Sequence, residues 1–269
     1  MNQDQHAAQD NAFATSYTMR NQMTRPVWSF WATIGFGIIL WLALTVSDLF
    51  VTTIATIYHI IHNPQSDPYM YAYSLYTNGF ILSLSILLRA PITILLVFLF
   101  VFLKKGASIK DYLTLHPVPI RVLLVWLGIT ILLSPILDGL TMLFDRPIIP
   151  EFWIKVFNSA GFLPLLLVSV VIVAPVVEEV FFRGFLFRGI EQSKVGPIGA
   201  VLITTTIWTL IHFQYDWFEM MLVFILGILF GVARIRTNSI YTTIAMHSLV
   251  NLISAIEMAI IVQRYGNIG

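Results

Sequence analysis

Long apolar runs separated by short polar breaks dominate the chain. Uninterrupted runs of about 20 apolar residues predict membrane-crossing helices, because no backbone group can stay unpaired in hydrocarbon. Seven candidates stand out: Val27–Val46, Gly79–Leu103, Val122–Phe144, Gly161–Phe182, Gly196–Phe213, Trp217–Ala233 and Ser239–Val262. The apolar stretch Asp48–His62 follows a charge, so it either extends the first helix or lies in the interface as an eighth element. The runs lack the ten-residue alternation of barrel strands. The predicted fold is therefore all-α, a polytopic transmembrane helix bundle of about seven spans.

Composition agrees: 58% of the 269 residues are hydrophobic and 11% charged, against about 25% charged in soluble domains. Cysteine is absent, which excludes disulfides, thiolate metal sites and a cysteine nucleophile. Net charge is +1 with no basic tract, so no nucleic-acid partner is expected. Residues 1–26 form a polar tail, and the first apolar run is expected to be a retained signal anchor. Residues 27–160 are expected to hold the N-terminal helices, and residues 161–263 a catalytic core within one integrated membrane domain.

Lys and Arg distribute unevenly over the breaks. One set holds Arg20, Arg25, Lys104, Lys105, Lys110, Arg121, Arg188, Lys194, Arg234 and Arg236; the other holds Arg146, Lys155 and Arg264. The positive-inside tendency predicts a cytoplasmic N-terminus. A tail without an organelle signal suggests a bacterial plasma membrane.

Three polar clusters interrupt the C-terminal runs. Glu178 and Glu179 end a stretch, Gly161–Val177, that carries no charge. A carboxylate at membrane depth costs about 2.5–3.5 kcal/mol on insertion scales, which marks such residues as functional candidates. Glu179 and Arg183 are four apart and share a helix face, whereas Glu178 is turned about 100° away and left free for chemistry. A structural salt bridge explains Glu179 and Arg183 but not the second acid. Trp208 and His212 share a face in the fifth run, and His247 and Asn251 share one in the last. Alone, either pair fits helix–helix packing. Counting residues from the breaks puts Glu178, His212 and His247 at overlapping depths.

Glu-Glu-x-x-x-Arg, aromatic-x-x-x-His and His-x-x-x-Asn, in this order on successive runs, resemble the motifs of the CAAX protease and bacteriocin-processing (Abi) family of intramembrane proteases. The resemblance covers about Gly161 to Val262, with Trp208 where that family usually has Phe. It implies an endopeptidase acting on membrane-associated protein or peptide substrates, with Glu178, Glu179, Arg183, His212, His247 and Asn251 as its site. Glu178 and His212 would activate water, and His247 and Asn251 would hold the oxyanion. Two versions stay open: metal-free water activation, which we prefer, and catalytic Zn²⁺ on Glu178, His212 and His247. A transporter would usually show two related halves, and none are evident. A catalytically silent scaffold is the other competing class.

Other polar residues fall in or near the spans. Arg89 is expected to bridge to Asp48 or Asp138, and Glu257 to sit hydrated near the outer interface.

Overall fold

The computed structural model describes residues 26–265. The tail's residues 1–25, with Arg20 and Arg25, lie outside the described residues. Seven main helices follow in order: α1 Phe30–His62, α2 Gly79–Phe102, α3 Ile120–Leu143, α4 Leu163–Glu191, α5 Gly196–Leu210, α6 Trp217–Thr237 and α7 Ile240–Tyr265. Shorter helices, among them Pro68–Ser74 and Glu151–Asn158, lie in the connections. No strand occurs among the described residues.

Six of the seven are long and apolar enough to cross a membrane; α5 is not, which corrects the expectation of seven full-length spans. Its 15 residues reach about 22 Å. The expected Gly196–Phe213 span ends early because the chain leaves the helix at Ile211. Asp48–His62 continues α1 without a break rather than forming a separate element, giving a helix about 50 Å long.

Contacts between connections sort the bundle into two ends. At one end, Trp28 Nε1 donates to the Phe100 carbonyl at 2.8 Å and Ser239 Oγ to the His116 carbonyl at 2.5 Å. At the other, Ser159 Oγ donates to the Thr77 carbonyl at 3.0 Å, Trp153 Nε1 to the Tyr215 hydroxyl at 2.6 Å, and Arg146 pairs with Asp216. Residues 211–216 thus sit at the end opposite Ser239, so α5 and its extension still carry the chain between the two ends.

Caps fix where helices start. Ser29 accepts from Ala32 N, Asn78 accepts from Ile81 N, and Asp216 forms a capping box with Glu219. Asn238, at φ +48°, makes the left-handed turn from α6 into α7.

Small residues bring α5 and α6 together. A Cβ on Gly227 would lie 2.6 Å from Thr205 Cγ2 and 3.1 Å from Trp208 Cε3, and one on Gly231 would lie 2.8 Å from Val201 Cγ1. Gly227 and Gly231 form a Gly-x-x-x-Gly stripe, which permits this close approach.

Helix α4 packs against α1, α2, α5 and α7 and is tied to α6 by side-chain hydrogen bonds of Arg183 and Arg234. It is interrupted by two π-helical segments, Ser169–Val173 and Val180–Leu186. The second buries Phe182, Phe185 and Leu186 in the main core, together with Leu40, Val97 and Phe100.

Candidate functional site

The two π segments carry the acidic motif between them. In the first, Ala174 N–H reaches back five residues to the Ser169 carbonyl. The next carbonyl, Val170, would need the N–H of residue 175, but that residue is proline and has none. Asn251 on α7 fills the gap: its Nδ2 donates to the Val170 carbonyl at 2.7 Å. In the second, Arg234 on α6 donates from Nε to the Arg183 carbonyl at 2.9 Å. Side chains from two neighbouring helices therefore donate to carbonyls of the π segments, and Asn251 supplies the donor that Pro175 lacks, as low-dielectric surroundings require. This fixes α4, and with it Glu178 and Glu179, against α6 and α7.

Glu179 and Arg183 form the expected pair, with Nη1 2.9 Å from Oε1 and both side chains fully buried. The same Oε1 lies 3.0 Å from His247 Nδ1. A carboxylate only accepts, so Nδ1 carries the proton and the second ring nitrogen, Nε2, is left for other work. Arg183 also donates from Nη2 to the Gly227 carbonyl at 3.4 Å, and its guanidinium lies 4.5 Å over the Trp208 ring.

Glu178 is half-buried. Its Oε2 accepts the Trp208 indole N–H at 2.6 Å, a partner that spacing along the chain does not signal. His212 Nδ1 lies 2.7 Å from the Trp208 carbonyl, so it too is the protonated nitrogen and Nε2 holds the lone pair. The Trp208 ring packs edge-on between the two histidines, at 5.1 Å from His212 and 5.3 Å from His247.

The structure thus links five of the six predicted residues directly or through Trp208. Asn251 stands one turn beyond His247 on α7 and lines the same cavity, but it is tied to Val170 rather than hydrogen-bonded to His247. That cavity, about 670 Å³, is bordered by Glu178, His212, His247 and Asn251 and extends to Arg146 and Tyr215 at the bundle end. Tyr215, in the connection after α5, stacks on His212 at 5.9 Å. Burial pushes its phenol up to about 12 despite the hydrogen bond from Trp153, so it stays neutral.

The cavity also has a second polar wall. Arg89 pairs with Asp48, one of the two expected partners, donating from Nε to Oδ1 at 2.6 Å. Asp138 on α3 and Glu257 on α7 line the same cavity, and their two helices pack together. No periodicity in the sequence signals that α3–α7 pairing.

Arg234 and Pro175 are the participants that the sequence motifs missed; Trp208 belonged to the second motif, but its bond to Glu178 was not expected. Pro175 was the available signal, since a proline within a helix demands a donor for an unpaired carbonyl. For the zinc version, no group of three His, Cys, Asp or Glu side chains able to hold a metal ion occurs among the described residues. Glu178, His212 and His247 as arranged do not form such a set, and no step below passes through a metal.

Comparison with known proteins places these residues in a family context. The family model for type II CAAX prenyl endopeptidases, Rce1-like, matches residues 160–253. The UPF0177 protein YxdF of Lactococcus lactis is 33% identical over 102 residues, covering 36% of this chain and 55% of that protein. The chain thus spans about half the length of the curated relative it matches. No solved structure matches the chain significantly.

Proposed function

We propose that this chain, whose residues 160–253 match the family model for type II CAAX prenyl endopeptidases, Rce1-like, is an intramembrane endopeptidase using water activated by Glu178 and His212. The observation that carries the reading is the hydrogen-bonding of the two histidines. Both commit Nδ1 to an acceptor, and both belong to the cavity wall that Glu178 shares.

In the proposed reaction, Glu178 takes a proton from water while His212 Nε2 accepts the water's second hydrogen bond. The oxygen adds to the peptide carbonyl carbon, and negative charge moves onto the carbonyl oxygen. His247 meets that charge as an imidazolium, donating from Nε2. The cluster stays neutral throughout: Glu178 and Glu179 balance Arg183 and His247 before attack, and once Glu178 has taken the proton the oxyanion carries the negative charge in its place. Asn251 has a second amide hydrogen for the same oxyanion. Collapse breaks the C–N bond, and the proton held by Glu178 passes to the leaving amine. A positioned general base contributes typically 10²–10⁴-fold, and an oxyanion donor about 10²–10³-fold. The chemistry of this donor set requires no metal in the scheme.

The same proposal covers topology and substrate. The end with Lys104, Lys105, Lys110, Arg121, Arg188, Lys194, Arg234 and Arg236 faces the cytoplasm of a bacterial cell, and the end with Arg146, Lys155 and Arg264 faces outward. The cavity then opens at the outer end, where Arg146 and Tyr215 border it. Its substrates are membrane-associated peptides or proteins approaching from that side.

The test is cleavage by purified protein in liposomes, using fluorogenic peptides that end in Cys-aliphatic-aliphatic-X, with and without a prenyl group. The wild type should cleave at least one class, and Glu178→Gln should cleave neither while staying folded. Equal cleavage by Glu178→Gln would refute the assignment of the base.

A further inference from the structure

We propose that Trp208 is a positioning residue for Glu178, and that its indole N–H, rather than its aromatic bulk alone, sets the turnover of this enzyme. The inference rests on the protease reading above and adds a residue to it. In the family that the motifs resemble, the position usually holds Phe, which fills space but donates nothing.

Four contacts converge on this one side chain and its backbone. Nε1 donates to Glu178 Oε2 at 2.6 Å. The Trp208 carbonyl fixes the His212 tautomer through Nδ1 at 2.7 Å. The ring separates His212 from His247, and its face receives the Arg183 guanidinium at 4.5 Å. Trp208 is itself only 3% exposed, and its Cε3 lies where a Cβ on Gly227 would intrude. The indole is therefore held by packing and cannot follow Glu178 if the carboxylate turns.

A glutamate's terminal torsion is broad and roughly two-fold, so an unheld carboxylate samples many orientations. A donor on Oε2 removes that freedom and leaves Oε1 as the basic oxygen. A hydrogen bond to a charged acceptor is stronger than a neutral one, which makes the restraint effective. The ring framework is separable from the donor. Trp208→Phe keeps an aromatic ring, and benzothienyl-alanine at position 208 keeps the bicyclic shape while replacing N–H by sulfur.

The experiment compares wild type with both replacements in liposomes, on the fluorogenic peptide that the wild type cleaves best. Both should lower kcat about tenfold with KM within about twofold, the scale of one charge-assisted hydrogen bond, while both variants stay folded at the assay temperature. Wild-type kcat in the benzothienyl variant, or a loss in both variants that only tracks a lower melting temperature, would overturn the inference. An activity-independent arm uses ultraviolet resonance Raman of the indole N–H bond. The wild-type-minus-Trp208→Phe spectrum should show a strongly hydrogen-bonded indole, and the bond should be lost in Glu178→Leu. A spectrum unaffected by Glu178→Leu sinks the Trp208 role alone, whereas a wild type that cleaves no peptide sinks the protease reading and this role with it.

Discussion

At the scale of single residues, the two adjacent glutamates do different jobs because their partners differ. Glu179 is fully buried and shared between Arg183 and His247, whereas Glu178 is half-buried and faces the cavity. Removing one partner of a buried pair strands the other charge, at a cost of about 3–5 kcal/mol. Arg183→Ala should therefore lower the unfolding free energy by about that amount. Glu178→Gln, which keeps size and an acceptor for the Trp208 N–H, should melt close to the wild type. Chemical denaturation in detergent distinguishes the two; equal stability would refute the structural role of Arg183. The Glu179–Arg183 pair was legible from its spacing of four. The Glu178–Trp208 bond was not, because nothing in the spacing of Glu178 and Trp208 along the chain fixes how α4 and α5 face each other.

At the scale of elements, α4 is the feature that hydropathy alone could not describe. Its apolar run predicts a helix, and a helix is found, but the π segments around the acidic motif depend on groups supplied by other helices. Such segments occur frequently at functional sites. Asn251 was identified as a site residue by its motif, yet its visible contact is the Val170 carbonyl left open by Pro175. Asn251→Ala should leave that buried carbonyl unpaired and destabilise the protein by about 1–3 kcal/mol, in addition to any loss of rate. Pro175→Ala supplies a backbone N–H to the same region, so the Asn251→Ala penalty should shrink in the Pro175→Ala background. A double-mutant cycle on unfolding free energy measures this coupling. Strict additivity would mean that Asn251 does not replace the missing proline donor. The length of α5 was overestimated for a related reason: Ile211 and Phe213 are apolar, but with His212 they form cavity wall rather than helix.

At the scale of the whole molecule, the class of fold was legible because lipid leaves a chain of this hydropathy few choices. The C-terminal motifs also indicated which residues would meet. The polar wall contributed by α1, α2 and α3 was less legible, since Asp48, Arg89 and Asp138 belong to no recognised pattern. Orientation is tested cleanly because the chain has no native cysteine. Single cysteines placed within Asn63–Asn78 should react with an impermeant maleimide on intact cells, and one at Asn238 should react only after permeabilisation. The reverse pattern would turn the cavity mouth toward the cytoplasm.

The most direct measurement of the central claim is a single turnover in ¹⁸O-labelled water, with enzyme in excess over a cleavable peptide. Glu178-activated water predicts one ¹⁸O in the new C-terminal carboxylate from the wild type, and no product from Glu178→Gln. A first-turnover product carrying ¹⁶O would show that an enzyme group, not water, attacks the peptide, and labelled product from Glu178→Gln at the wild-type rate would remove Glu178 from the reaction.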